Sequence, residues 1–163
     1  MPAINDFLIA NISAPNSEVH RFVIWQFAAE RIFEHPLIGW GLDSARAIPG
    51  GDERLFLFRI GEIVTTGPAL PLHPHNALIQ IWLETGIMGL VFAGALFVFA
   101  VSSISPRQGN RAGPAACVAA IASAFAIAQL SFGIWQGWWM STLGLFAVIV
   151  IATASTGPRA ERI

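Results

Sequence analysis

With 163 residues, 55% of them hydrophobic and 12% charged, the chain carries about half the roughly 25% charged content of soluble domains. That composition excludes an ordinary soluble domain and points to an all-α integral membrane protein. The net charge of −1, with no basic patch interleaved with aromatic residues, excludes a nucleic-acid-binding surface.

The N-terminal "MPAINDFLIANIS" has no basic stretch followed by an apolar run, so it does not read as a cleaved secretory signal. Either a downstream span carries the polar half across the membrane, or the chain is the C-terminal part of a longer many-spanning protein. The second is expected here, because three spans make a thin bundle around a polar site. Ser17 is placed to cap a helix beginning at Glu18, and Pro36 ends it near Glu34. Phe22, Trp25, Ala29, Ile32 and Phe33 share one face at helical spacing, with His20, Glu30, Arg31 and Glu34 largely opposite. This is an amphipathic helix that lies on the membrane or on a bundle. Arg21, at the border of its apolar face and one turn before Trp25, has two readings: it covers apolar surface with its stem, or its guanidinium reaches a bound group. Next, "HPLIGWGLDSARAIPGGDERL" is rich in Gly and Pro and reads as an ordered loop, with Arg46, Arg54 and Arg59 as available cations.

The stretch "HPHNALIQIWLETGIMGL" places hydrogen-bonding groups at the mouth of an apolar run. Pro74 suits the first turn of a helix that starts at about His73. On that helix Asn76, Gln80 and Glu84 form one stripe, while His75 stacks above Ile79, Trp82, Gly86, Gly89 and Ala93. The small residues would let a neighbouring helix approach closely. Close to the positive end of the helix dipole the His75 imidazole is expected to be neutral, and so able to accept a proton. Alternatively, His75 and Asn76 only cap the helix, and Glu84 is an interfacial carboxylate paired with an arginine. His73 and His75 lack a third and fourth ligand at sensible spacing, so no metal is expected.

No charged residue occurs from Thr85 to Pro106 or from Ala112 to Pro158. One span takes roughly 20 residues, so the first stretch crosses once and the second folds back on itself. Spans are expected near 86–105, 114–132 and 138–155. The turn falls in "SFGIWQGWWM", where Gly133 and Gly137 break the run and Trp135, Trp138 and Trp139 suit the headgroup layer. All nine cations are arginines. Arg107 and Arg111 in one short loop, and Arg159 and Arg162 in the tail, put both segments in the cytoplasm. Residues 1–84, with five Arg and nine acids for a charge of −4, then form a periplasmic helix-loop region. Residues 85–163, with four Arg and one Glu for +3, form the three-span region, and the two charges sum to −1. Cys117 is alone in a predicted span and carries no information about redox compartment.

The chain has no H-E-x-x-H, G-x-S-x-G, P-loop or Gly-rich dinucleotide turn. It does have "HNALIQIWLETGIMG", in which His75, Asn76, Gly86 and Gly89 fit the pattern H-[NSQ]-x9-G-x2-[GTY]. Upstream, "RFVIWQFAAERIFEHPLIGWG" gives an Arg, a Trp, a helix and a P-L-x-G-x-G turn. Together these segments, residues 21–89, resemble the O-antigen ligase family, which includes bacterial polysaccharide polymerases and protein O-oligosaccharyltransferases. The resemblance implies a multi-pass glycosyltransferase of the bacterial inner membrane, active in cell-envelope polysaccharide or lipopolysaccharide synthesis. Such an enzyme moves a glycan from undecaprenyl diphosphate to a hydroxyl of an acceptor glycan or glycolipid at the periplasmic face, without metal or other cofactor. It implies His75 as general base and Arg21 as the diphosphate ligand, with Asn76, Glu84, Gly86 and Gly89 in support. Arg46 is added as a second diphosphate ligand from its place in the loop. Family members have more than three spans, and the helices expected to hold the prenyl chain are not in this chain. The competing reading is a non-catalytic membrane subunit or transporter piece whose Asn76, Gln80 and Glu84 line a pore or a partner interface.

Overall fold

The computed structural model describes residues 16–60, 62–104, 112–130 and 132–155. In chain order these form α1 (Asn16–Glu34), a short 3-10 turn (Ser44–Ala47), β1 (Arg54–Ile60), β2 (Ile63–Pro68), α2 (Ala77–Ser102), α3 (Ala112–Ala128) and α4 (Gly137–Ser155). The fold is mostly helical but not all-α. The segment after the Gly/Pro-rich loop is an antiparallel hairpin, with Arg54 opposite Pro68 and Ile60 opposite Ile63. "RLFLFRI" and "IVTTGP" are rich in aromatic and β-branched residues, which fit a half-buried pleated surface. The register shifts between Phe56 and Phe58, and the extra residue, Leu57, turns into the interior while Phe56 stays exposed.

The helix α1 ends at Glu34 as expected, and its described part runs from Asn16, so Ser17 is a residue of the helix. Its buried face is different. Ile24, Phe27, Ala28 and Ile32 pack with Ala45, Ile48, Ala69, Leu70 and Leu83 in the core. Phe22 and Phe33, by contrast, are 48% and 78% exposed. The helix carries apolar residues on both sides, and the loop and hairpin close over the side centred on Ile24. His20 fixes this docking through a 2.8 Å hydrogen bond between Nε2 and the Pro68 carbonyl oxygen.

The longest helix, α2, starts four residues later than its sequence suggests. His75 has φ +54°, outside the right-handed helical range, and Asn76 is extended. Asn76 is the N-cap: its Oδ1 accepts the Ile79 N–H at 3.0 Å. Pro74 therefore precedes the helix instead of opening it.

At Gly86 the helix breaks, with φ +65° and ψ −167°. A break strands backbone donors and acceptors, and buried ones must find partners. The turn at residues 36–41 supplies them. Trp40 N–H donates to Leu83 O at 2.9 Å and Gly41 N–H to Glu84 O at 2.8 Å. In the other direction, Ile87 N–H donates to Pro36 O at 2.9 Å and Met88 N–H to Leu37 O at 3.4 Å. Backbone lies directly on backbone here, so neither side tolerates a side chain. A Cβ on Gly39 would sit 2.3 Å from the Glu84 carbonyl carbon, and one on Gly86 would sit 2.2 Å from that of Leu37. Gly86 thus admits a turn, not the neighbouring helix expected from the sequence. Gly89 makes room for Thr85 of its own helix, whose Oγ1 would lie 1.8 Å from a Cβ there and donates to Ile81 O at 2.6 Å.

By length and composition α2 is able to cross a membrane, while the apolar stretches of α3 and α4, Gly113–Ala128 and Gly137–Ala152, are shorter. The break between α3 and α4 falls where the sequence places its turn. Cys117 of α3 is buried and packs against α4 with Sγ 3.9 Å from Val150 O. Arg107, Arg111, Arg159 and Arg162, which carry the orientation, and the side chain of Arg59 lie outside the described residues.

Candidate active site at the His73 to Asn76 turn

Three parts of the chain converge on the turn before α2. From α1, Trp25 Nε1–H donates to the Pro74 carbonyl oxygen at 2.8 Å, between the two histidines. Arg21, half-buried, lies one helical turn before Trp25 on the same helix. From the α3–α4 connection come Gln129 and residues 133–136. The Gln129 side-chain carbonyl accepts the Leu78 N–H at 3.3 Å, and its backbone carbonyl accepts Asn76 Nδ2 at 3.3 Å. From the 3-10 turn comes Arg46, exposed and paired with Asp43 at 2.9 Å.

The Asn76, Gln80 and Glu84 stripe is present, and its inner members face protein. Gln80 and Glu84 are 2% and 0% exposed. Gln80 Nε2 donates to Glu84 Oε1 at 3.0 Å, while its Oε1 accepts the Ile134 N–H at 3.0 Å. The other Glu84 oxygen accepts the Asp43 N–H at 3.0 Å and the Trp135 indole N–H. No arginine pairs with Glu84 among the salt bridges of the described residues. A buried carboxylate must be hydrogen-bonded to be tolerated, and here the bonds tie two loops to α2. Because Asp43 binds Arg46, Glu84 also anchors the backbone from which Arg46 projects.

His73 is nearly buried, at 9% exposure, with its ring 4.3 Å from that of His75 in an edge-to-face arrangement. Gly133 gives it space, since a Cβ there would come within 2.8 Å of His73 Cδ2. Burial first, then the neighbouring His75, then Arg46 lower its pKa from 6.5 to about 4, so the ring is neutral at physiological pH. His73 Nδ1 accepts the His75 backbone N–H at 3.3 Å, which puts the ring proton on Nε2. The Gln136 amide lies 3.4 Å from that Nε2. With Gln136 Nε2 facing the ring, two donors would meet and Gln136 Oε1 would stay buried without a partner. Turning the amide so that Oε1 accepts the Nε2–H satisfies both groups.

A depressed histidine pKa has a definite consequence for stability. Between pH 6.5 and about 4 the unfolded chain binds a proton that folded His73 does not, so this site's contribution falls as pH drops through that window and levels off below it. Thermal melts from pH 7 to pH 4 should therefore show a steeper acid decline for wild type than for His73→Asn. Parallel declines would contradict the neutral buried ring.

Sequence reasoning found the turn but not its supports. Gln129, Gln136 and Trp135 sit in an apolar run where polar side chains are costly, and that cost is the signal that could have marked them as partners of a polar site. Arg54, offered as a cation, is engaged along the hairpin instead, with Nε 3.1 Å from Thr66 Oγ1 and Nη2 3.1 Å from Thr66 O.

No solved structure matches the chain. It is 36% identical to a Rickettsia conorii protein provisionally named a polysaccharide ligase, over 83% of this chain and 31% of the relative. Similarly named proteins of Rickettsia prowazekii and Rickettsia typhi are 35% and 34% identical, each over 83% of this chain and 32% of their own length. The chain thus spans about a third of the length of these curated relatives. Residues 3–94 match the O-antigen ligase family, and they contain the turn, the break at Gly86 and the loop that locks into it. The chain belongs to the O-antigen ligase family.

Proposed function

We propose that this chain carries the periplasmic reaction centre of a bacterial inner-membrane glycosyltransferase, with residues 1–84 outside and α2, α3 and α4 in the membrane. The donor is a glycan on undecaprenyl diphosphate and the acceptor a hydroxyl of a second glycan or a glycolipid. In the transfer, the acceptor oxygen attacks the anomeric carbon and the bond from that carbon to the diphosphate oxygen breaks. The acceptor proton passes to His75, and the prenyl diphosphate leaves as an anion. Arginine suits that anion because its planar fork matches phosphate oxygens and stays charged. Arg21 is the diphosphate ligand and Arg46 a second cation at the same turn.

The observation that carries this reading is the convergence on one turn. His75 stands on a left-handed residue at the mouth of an apolar helix, held by His73, Trp25 and Asn76, with Arg21 and Arg46 on the adjoining elements. The pore or partner-interface reading requires Gln80 and Glu84 to face a channel or partner. Both are instead buried and hydrogen-bonded to each other and to the chain's own loops.

In the complete gene product, reconstituted with lipid-linked glycan, Arg21→Ala should lower kcat/KM for the donor by roughly 10- to 100-fold, the range for loss of a charge-assisted bond. It should weaken donor binding in parallel, and Arg21→Lys should recover only part of both, since it keeps the charge without the fork. Wild-type donor affinity and rate in a well-inserted Arg21→Ala protein would remove Arg21 from the site.

A further inference from the structure

We propose that His73 is a positioning residue for His75: its neutral ring accepts the His75 backbone N–H and so holds the left-handed turn that aims the second imidazole. This inference rests on the reading of His75 as base and extends it to the group that orients it. Three observations converge. First, His75 adopts φ +54°, a strained conformation for a residue other than glycine that persists only where surroundings enforce it. The His75 N–H bond to His73 Nδ1, at 3.3 Å and two residues apart in sequence, closes that turn from inside. Second, the His73 ring is itself clamped. Gly133 leaves room for one face, the His75 ring packs edge-to-face at 4.3 Å, and Nε2 faces the Gln136 amide at 3.4 Å. Third, the peptide between the two histidines is held from α1 by Trp25 at 2.8 Å, so the turn is fixed on both edges. The link through Gln136 makes the α3–α4 connection a support of the site, because the same connection binds Gln80 and Glu84 of α2.

The role requires an acceptor at the Nδ1 position, and that requirement separates positioning from space-filling. His73→Asn puts a carbonyl oxygen where Nδ1 was. His73→Gln is closer to histidine in length and reaches Gln136, but has no acceptor beside the His75 N–H. In the complete gene product, His73→Asn should retain at least about a third of wild-type kcat, and His73→Gln should lose about tenfold or more in kcat with donor affinity unchanged, as misplacement of a catalytic group does. Equal kcat in the two variants, or Gln above Asn, overturns the proposal. Nitrogen-15 NMR of histidine-labelled wild type provides a readout that needs no variant to be active, the His73 signals being identified by their loss in His73→Asn. The Nε2–H tautomer with a bare Nδ1 is expected for His73, and an Nδ1–H tautomer overturns the proposal. Failure of the base reading would look different: His75→Ala would be active, whatever the His73 variants do.

Discussion

Gly86→Ala is expected to leave little folded protein. At φ +65° and ψ −167° the backbone lies in a region open essentially to glycine alone, which costs an alanine on the order of 1 to 3 kcal/mol. The added methyl would also fall 2.2 Å from both the carbonyl carbon and the oxygen of Leu37. The obstacle is backbone, so no rotamer change relieves it. To admit the methyl, the 36–41 turn must move away from α2. That breaks the Ile87 and Met88 bonds to Pro36 and Leu37 and uncovers the Glu84 carboxylate. Strain, two lost backbone bonds and a partly stripped buried carboxylate together exceed about 4 kcal/mol, a large part of the 5 to 15 kcal/mol that holds a typical domain. Gly39→Ala attacks the same contact from the other side and should behave alike. Gly94→Ala is the control, because nothing beyond the adjoining backbone of its own helix lies within 4 Å of its Cβ position. Detergent-solubilised Gly94→Ala should match wild type in yield and melting temperature, whereas Gly86→Ala should aggregate or melt far lower. A monodisperse Gly86→Ala protein with wild-type melting would mean that the turn is not locked into the break.

The same contact shows what could be read in the sequence and what could not. The end of α1 at Glu34 and the break between α3 and α4 were legible, because Pro36 and the Gly133–Gly137 region are local stop signals. The Gly residues of "PLIGWG" and of the run after His75 were visible as a pattern. Their reason, backbone pairing between segments far apart in the chain, leaves no periodicity in either segment. The hairpin was missed because its strands follow a loop rich in Gly and Pro and are short enough to read as its continuation. The start of α2 went wrong because Pro74 is a sound helix-opening signal in isolation. It was overruled by tertiary contacts on His73 and Trp25 that hold His75 outside helical space. On α1, two apolar faces competed, and only the packed loop decides which is buried. At the site, the His75, Asn76 and Glu84 triplet was recognisable by type and spacing. The supporting role of His73 was not, since a histidine two positions from another reads first as half of a metal pair.

Removal of the His75 imidazole is the second large effect expected. The side chain stands before the N-cap of α2, and the cap itself is Asn76. His75→Ala therefore leaves intact the bonds made by Asn76, Gln80 and Glu84, and the His75 N–H to His73 is backbone. Insertion and melting should stay near wild type. What is lost is the ring contact with His73 and, in the proposed role, the group that takes the acceptor proton, a contribution of about 10² to 10⁴ in rate. The decisive measurement is glycan transfer from undecaprenyl-diphosphate-linked donor to acceptor in proteoliposomes by the complete His75→Ala protein, with donor binding recorded on the same preparation. A rate at least about 100-fold below wild type, with donor affinity preserved, is the expected result. Transfer at close to the wild-type rate by a well-inserted His75→Ala protein would contradict His75 as the base and leave the turn a structural cap.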